Sequence, residues 1–262
     1  MIQVDNVDID LIKADWDILV ILDGCRYDIF ESVYENLIHS KCKLKKAKTF
    51  CSGTKEWMHN NFYNKDCSSI IYLDPIIMFN LFIPDDTFFK TVMVWETNWD
   101  YEYGTILPSE MTDVALEQIK QHPEKRFIIH YHQPHPPYLM KEYLGIDKIN
   151  TPSTIMNGVN GNKFSFFYQG CMRKFLGYNR TWKWLTTLGI EPCDYYGKIY
   201  KKYGRNGLVR GYRKNLEMAL NEINRMIDVC KGKVVVTSDH SHNLNGDLKG
   251  LKEQYVPWLE II

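Results

Sequence analysis

The stretch Val234-Val235-Val236-Thr237-Ser238-Asp239-His240-Ser241-His242 decides the fold class of this chain. A short run of β-branched apolar residues that ends abruptly on polar ones predicts a buried strand of a parallel sheet. Ligands of open α/β sheets lie just beyond the carboxyl ends of the strands. Asp239 and His240 are therefore predicted at a functional edge, where a carboxylate and an imidazole suit a divalent transition metal. The alternative is an ordinary strand-ending turn.

A second strand of the same form is predicted at 17–23. Five apolar residues precede Asp23, and Gly24 permits a sharp turn directly after it. Two buried strands that each end on a carboxylate predict one metal ion at a single edge of the sheet. Arg26 follows closely, where its guanidinium can pair with an anionic substrate or form a surface salt bridge.

The segment 49–58 supplies a candidate nucleophile. Ser52-Gly53-Thr54 predicts a loop and Lys55 begins a helix, so Thr54 is expected at the helix N-terminus, where amide groups and the helix dipole favour anions. A nearby metal lowers the pKa of such a hydroxyl, which can then lose its proton and attack phosphorus or sulfur. Thr54 can equally be a simple N-cap, and Ser52 is the alternative nucleophile.

The order of these motifs resembles that of the alkaline phosphatase/sulfatase superfamily, and in particular of its compact sulfatase-like hydrolases. Further segments add to the resemblance, among them a strand followed by a His-Pro-Pro-Tyr element. The resemblance covers most of residues 15–138 and 206–262. The motifs that carry it are Leu22–Asp28, Thr54, Phe127–Tyr138, Gly211–Asn215, Asp239–His240 and Val256–Glu260.

The resemblance implies a role for each matched residue. The implied cofactor is a divalent ion, Zn, Mn or Mg, with one site favoured over two. His135 matches a histidine that contacts the substrate, the leaving group or a second metal. His130 and His132 have no counterpart; they share one strand face and are interpreted as core histidines. The implied metal ligands are Asp23, Thr54, Asp239 and His240, the catalytic residues are Thr54, His135 and Arg26, and the substrate-binding residues are Tyr212 and His242.

Departures from the family pattern narrow the expected activity. The run 51–55 lacks the Pro and Arg of the sulfatase formylglycine element, and Gly24 stands where sulfatases tend to have a second Asp. His242 is the only histidine between His240 and Val256, whereas two-metal phosphatases carry a further histidine ligand in that interval. We therefore predict a metal-dependent hydrolase or transferase that acts on a small-molecule, glycan or lipid phosphate ester through a threonine. The alternatives are a sulfate-ester hydrolase and a non-catalytic ligand-binding member of the fold.

Length and composition restrict the number of domains, the partners and the compartment that we expect for this protein. At 262 residues and 45% hydrophobic content, the chain is long enough to bury a core as one domain, 1–262. Its 32 basic and 32 acidic residues balance, so no nucleic-acid partner is expected, and the basic run Lys41–Lys48 is interpreted as solvated surface. Seven cysteines without regular spacing favour a reducing compartment. With no signal peptide or membrane span predicted, we expect a cytoplasmic location.

Strand and helix patterns alternate along the chain. This rhythm predicts a three-layer α/β/α sandwich with a mostly parallel central sheet, as in alkaline phosphatase. Residues 139–205 break the rhythm and are predicted to form an inserted lid of helices and loops. The expected strands are 17–23, 68–73, 91–95, 126–132 and 234–238, and the expected helices are 26–37, 55–62, 108–121 and 207–230.

Overall fold

The computed structural model describes residues 2–77, 83–84, 86–146, 151–152, 187, 195–242, 244 and 254–262. Most predicted elements are observed near their expected positions. The helix predicted at 26–37 is instead a short helix followed by a 3-10 turn at Tyr34–Asn36. The described helices are α1 (Tyr27–Glu31), α2 (Thr54–Phe62), α3 (Pro108–Gln121) and α4 (Tyr195–Ile227), the last interrupted at Gly204.

Within the described ranges, nine strands form one central sheet and two form a small hairpin. The order in the large sheet is β2-β1-β4-β11-β10-β3-β9-β5-β6, and β7 pairs with β8. The strands are β1 (Ile2–Val4), β2 (Val7–Ile9), β3 (Ile18–Asp23), β4 (Cys42–Thr49), β5 (Cys67–Asp74), β6 (Phe88–Met93), β7 (Trp99–Asp100), β8 (Thr105–Ile106), β9 (Arg126–Pro134), β10 (Val234–Ser238) and β11 (Gln254–Ile261).

The fold is mixed α/β, as predicted, but the sheet is not mostly parallel. Strands β10, β3, β9, β5 and β6 run parallel, whereas β11, β4, β1 and β2 join by antiparallel pairing. Four pairings are thus parallel and four antiparallel. The difference arises at β4, the Lys-rich run interpreted as solvated surface, because it pairs with β11 along its whole length.

The parallel half contains the two strands predicted to carry the site. Every residue of β3 and β10 is buried, and they pair in register from Val234 beside Ile18 to Ser238 beside Leu22. Apolar cores cover both faces of such strands, which explains their uninterrupted hydrophobic character. The C-terminal ends of β3 and β10 consequently lie side by side.

Strand alternation decides which face the polar strand-end residues occupy. In β3, Leu19 and Ile21 pack in the same core as Trp57 of α2, so Asp23 continues that face. Val235 of β10 and Ile128 of β9 pack in the same core. Asp239 and His132 each follow by four residues, so they lie on the same face of the sheet as Val235 and Ile128. The three polar residues therefore lie on the α2 side of one sheet edge.

Helix α4 fixes the loop that follows β9. Gly211 is required there, because a Cβ atom at this position would lie 2.2 Å from Cδ2 of Tyr138. One turn later, the buried Asn215 side chain accepts a hydrogen bond from the Leu139 amide (2.8 Å) and donates to the carbonyls of His135 (3.1 Å) and Pro137 (3.0 Å). These bonds hold the His135 segment in place.

The predicted lid at 139–205 lies largely outside the described residues. Its first part, 139–146, contains a 3-10 turn at Lys141–Tyr143, and its last part belongs to α4. The prediction for the remainder stays untested. Among the described helices, none combines the length and apolarity needed to cross a bilayer.

Candidate active site

The ends of β3 and β10 bring together three of the four residues predicted as metal ligands, Asp23, Asp239 and His240. His240 Nε2 lies 3.3 Å from Asp23 Oδ1 and 3.5 Å from Asp239 Oδ2. Two donors bound to one Zn²⁺ at about 2.0–2.2 Å with tetrahedral angles lie roughly 3.3–3.6 Å apart. The observed spacing is thus that of ligands around a common point, and one donor atom from each residue lies within 4.8 Å of the others.

Thr54 joins this cluster from helix α2. It is the first residue of α2, as predicted, and its hydroxyl donates a 2.6 Å hydrogen bond to Asp239 Oδ2. The Ser52 hydroxyl instead donates to Glu56 (2.9 Å), which also accepts the Ser52 amide. Of the two candidate nucleophiles, Thr54 is therefore the one that contacts the carboxylate cluster.

Backbone donors and histidines govern the charge of the cluster. Asp239 Oδ1 accepts the amides of Gly24 (3.0 Å) and His240 (2.9 Å), which fixes the carboxylate and leaves Oδ2 for Thr54. Burial opposes charge on Asp23, but His135, His240 and His132 hold the pKa of that carboxyl below its usual range. Burial also disfavours charge on His240, yet Asp239 and Asp23 raise the pKa of its imidazole to about 10.

Gly24 allows the chain to turn directly after β3, beside the end of β10. Its φ of +66° lies in the left-handed region that favours glycine. A Cβ atom here would also lie 3.3 Å from Cε1 of His240 and 3.4 Å from Cβ of His242. The residue after Asp23 must therefore be small for His240 to approach the carboxylate.

A second group of histidines lies beside Asp23. His132 Nδ1 is 3.7 Å from Asp23 Oδ2, and donor atoms of Asp23, His132 and His135 all lie within 4.8 Å of one another. The interpretation of His132 as a core residue is therefore wrong. His130 does lie in the core, fully buried, with its Nδ1 2.7 Å from the Tyr72 hydroxyl. The alternation of side chains along a strand predicted that His130 and His132 share one face. It could not predict the distance from His132 to Asp23, because that distance depends on the pairing of β9 with β3.

The two residues predicted to bind substrate occupy different surroundings. His242 stacks on His135 with ring centroids 5.6 Å apart, and the hydroxyl of Tyr196 bonds to its Nε2. Tyr212 is fully buried; its hydroxyl donates to the Gly24 carbonyl (2.8 Å) and accepts the Arg26 amide (2.8 Å). Tyr212 thus supports the turn after β3, which corrects its assignment as a substrate contact.

Arg26 lies near the site but is engaged in an ion pair. Its guanidinium donates to both carboxylate oxygens of Asp28, at 2.9 and 2.7 Å. This is the salt bridge that the sequence left open as the alternative to an anion contact. The Asp28 partner is 61% exposed, so a substrate anion would compete for Arg26 against a well-solvated carboxylate.

An open cavity of about 450 Å³ lies next to Thr54. Its wall is formed by the loop before α2 and by the outer face of that helix. The cavity is large enough for the organic group of an ester bound at Thr54. The lining residues are Ser52, Gly53, Thr54, Lys55, Glu56, His59 and Asn60.

Comparisons of the sequence with protein-family models and with curated proteins find no match. The superfamily resemblance is therefore carried by the quoted motifs alone.

Proposed function

We propose that the chain is a metal-dependent hydrolase or transferase of phosphate esters, with Thr54 as its nucleophile. We extend the proposal to the fold, which would be an alkaline phosphatase-like three-layer α/β/α domain with an enlarged antiparallel edge. One observation carries the functional part: the Thr54 hydroxyl, at a helix N-terminus, bonds at 2.6 Å to a carboxylate that itself belongs to an Asp–Asp–His cluster.

The chemistry of the donors supports a divalent cation. Asp23, Asp239, His240 and Thr54 would hold it, a set of oxygen and nitrogen donors that suits Zn²⁺ or Mn²⁺. Asp23 Oδ1 is buried and has no hydrogen bond among the described residues. It faces His240 Nε2 at 3.3 Å, longer than an ordinary hydrogen bond, and a metal ion would replace the His240 proton as the partner of this buried oxygen.

The chain's own residues provide the remaining parts of a displacement. The Thr54 proton points at Asp239 Oδ2, which can accept it as the Thr54 Oγ–P bond forms. The ester P–O bond breaks at the same time, and the leaving group departs as an alcohol after taking a proton from solvent. The N-terminus of α2 faces the non-bridging phosphate oxygens with amide groups and a positive dipole end. When bound, the ion would lower the pKa of the hydroxyl and neutralise charge on the transferring group.

The second half of the reaction returns Thr54 to its free form. Water, or an acceptor alcohol, attacks the phosphothreonine, the P–Oγ bond breaks and the hydroxyl regains a proton. Hydrolysis and transfer differ only in this acceptor. The 450 Å³ cavity at 52–60 would receive the organic group of a small-molecule, glycan or lipid ester.

Elemental analysis combined with a substrate panel tests the proposal. Purified protein should hold a divalent metal and turn over phosphomonoesters or phosphodiesters faster than sulfate esters. Asp239→Asn should lose both metal and turnover. Faster turnover of sulfate esters would favour the sulfatase alternative, and metal-free protein that binds esters without cleaving them would favour a non-catalytic binder.

A further inference from the structure

We infer that Asp23, His132 and His135 form a second divalent-cation site, which shares the Asp23 carboxylate with the first. The inference deepens the proposed function, and it rests on that function only in placing a first ion at Asp239 and His240. Its ligand set includes His132, which has no counterpart in the family pattern. His135 would bind this ion rather than contact the leaving group directly.

The Pro136 carbonyl fixes the tautomers of both histidines. A carbonyl oxygen only accepts hydrogen bonds, so each ring nitrogen close to it must carry a proton. His132 approaches Pro136 O with Nε2 at 3.0 Å, and His135 approaches it with Nδ1 at 2.8 Å. In their neutral forms the two rings therefore present lone pairs on their other nitrogens, Nδ1 of His132 and Nε2 of His135.

The His132 lone pair lies near a carboxylate. His132 Nδ1 lies 3.7 Å from Asp23 Oδ2, and a direct hydrogen bond would require about 2.7–3.2 Å. A lone pair and a carboxylate oxygen repel unless a proton or a metal ion lies between them, and 3.7 Å is too long for a good proton bridge. The three donor atoms fall within 4.8 Å of one another, a span that one ion with bonds of about 2.0–2.2 Å can bridge.

The two oxygens of Asp23 are directed to different partners. Oδ1 lies 3.3 Å from His240 Nε2 on the β10 side, and Oδ2 lies 3.7 Å from His132 Nδ1 on the β9 side. This division follows from the position of β3 between β10 and β9 in the sheet. A carboxylate with one oxygen for each neighbouring cluster has the geometry of a bridging ligand between two ions.

The second site is also rigid before any ion binds. Bonding of a metal-ligating imidazole to a backbone carbonyl through its other nitrogen is the usual means of orienting such a ligand. Both histidines have this bond, and Asn215 holds the carbonyls of His135 and Pro137. The described residues thus supply three ligands and their supporting contacts.

Counting bound ions tests the inference. Chelator-stripped full-length protein is titrated with Mn²⁺ or Zn²⁺, desalted and analysed for metal by mass spectrometry. We expect two ions per wild-type chain and one per chain in His132→Ala and in His135→Ala, with unchanged circular dichroism. The matched control is His39→Gln. His39 is exposed and belongs to neither cluster, so this variant should keep two bound ions per chain.

Electron paramagnetic resonance gives a second readout on the wild-type protein, which is useful if a variant does not fold. Two Mn²⁺ ions bridged by Asp23 should give a spin-coupled spectrum, and one ion an uncoupled six-line spectrum. A single ion per wild-type chain, or two ions retained in both histidine variants, overturns the inference. One ion with ester turnover leaves the proposed function intact, whereas two ions without turnover of any ester overturn that function and keep the second site.

Discussion

Thr54 Oγ1 donates a 2.6 Å hydrogen bond to Asp239 Oδ2, and this bond joins the first residue of α2 to the end of β10. The two residues are 185 positions apart in the sequence. The bond directs the hydroxyl into the carboxylate cluster, and no side-chain capping bond is made at the Gly53 N-cap. The hydroxyl is thus held in the cluster by a contact between two distant parts of the chain.

Thr54→Ala should reduce turnover of phosphate esters by several orders of magnitude, because it removes the attacking oxygen. Thr54→Ser keeps that oxygen and should retain measurable activity. Ser52→Ala is the matched control, since its hydroxyl bonds to Glu56 instead of the cluster. Steady-state kinetics on metal-loaded proteins measures all three. If Thr54→Ala kept full kcat and lost only about 1 kcal/mol of stability, the Thr54 hydroxyl would contribute a structural hydrogen bond and no chemistry.

Asp239→Asn should abolish the thermal stabilisation produced by divalent metal. A ligand at 100 times its Kd stabilises a folded protein by about 2.7 kcal/mol, and this shift requires an intact site. The amide can still accept the Gly24 and His240 backbone bonds, so the apo protein should remain folded. Differential scanning calorimetry with and without Zn²⁺ measures the effect. An equal metal-induced shift in wild type and variant would mean that the ion binds elsewhere.

Gly24→Ala should weaken metal binding more than it weakens the fold. Positive φ strains any residue with a Cβ, which costs about 1 kcal/mol or more, and here the methyl group also lies 3.3 Å from the His240 ring. Gly145→Ala separates the two effects, because Gly145 has φ +73° and nothing within 4 Å of the added atom. Both variants should lose stability in denaturant titrations. Similar metal affinity in the two variants would exclude crowding at His240 as a factor.

Local sequence patterns predict the parallel half of the fold well. Apolar runs that end on Asp23 and Ser238 identify β3 and β10, because strands buried on both faces have no polar alternation. The helix predicted at 108–121 is α3, since a Pro at its start and His122-Pro123 after it define both ends. These signals lie within a few residues of the element that they predict.

Other features depend on contacts between distant segments, which local patterns do not contain. The lysines of β4 resemble solvated surface, yet the strand lies inside the sheet because β11 pairs with it. The sequence around His132 is typical of a core residue, but the pairing of β9 with β3 places this histidine beside Asp23. Tyr212 matches a family motif, but only the packing of α4 shows that its hydroxyl supports the Gly24 turn.

Asp74→Asn should stabilise the protein at pH 8. This carboxyl is fully buried at the end of β5; one oxygen accepts the Ile76 amide and the other has no hydrogen bond among the described residues. Burial raises its pKa well above the usual value, so the folded state prefers the protonated form, which Asn imitates. We expect a rise in Tm of roughly 2–10 °C.

The pH dependence of this effect follows from the direction of the shift. Because the folded-state pKa exceeds the unfolded value near 3.8, the stabilising contribution of Asp74 is complete below that value and is lost as pH rises through the folded pKa. The advantage of Asp74→Asn should therefore vanish in acid. Asp66→Asn, an exposed aspartate with a similar bond to the amide two residues on, is the matched control and should show no gain. A variant no more stable than wild type at pH 8 would contradict the buried-acid account.

Mass spectrometry of rapidly quenched protein tests the central claim most directly. Metal-loaded protein is mixed with a phosphomonoester, quenched in acid within a turnover and digested. The account predicts one phosphate on Thr54, absent from chelator-treated protein and from Thr54→Ala. Phosphate on Ser52, or full ester turnover with no phosphorylated residue at any quench time, would contradict it.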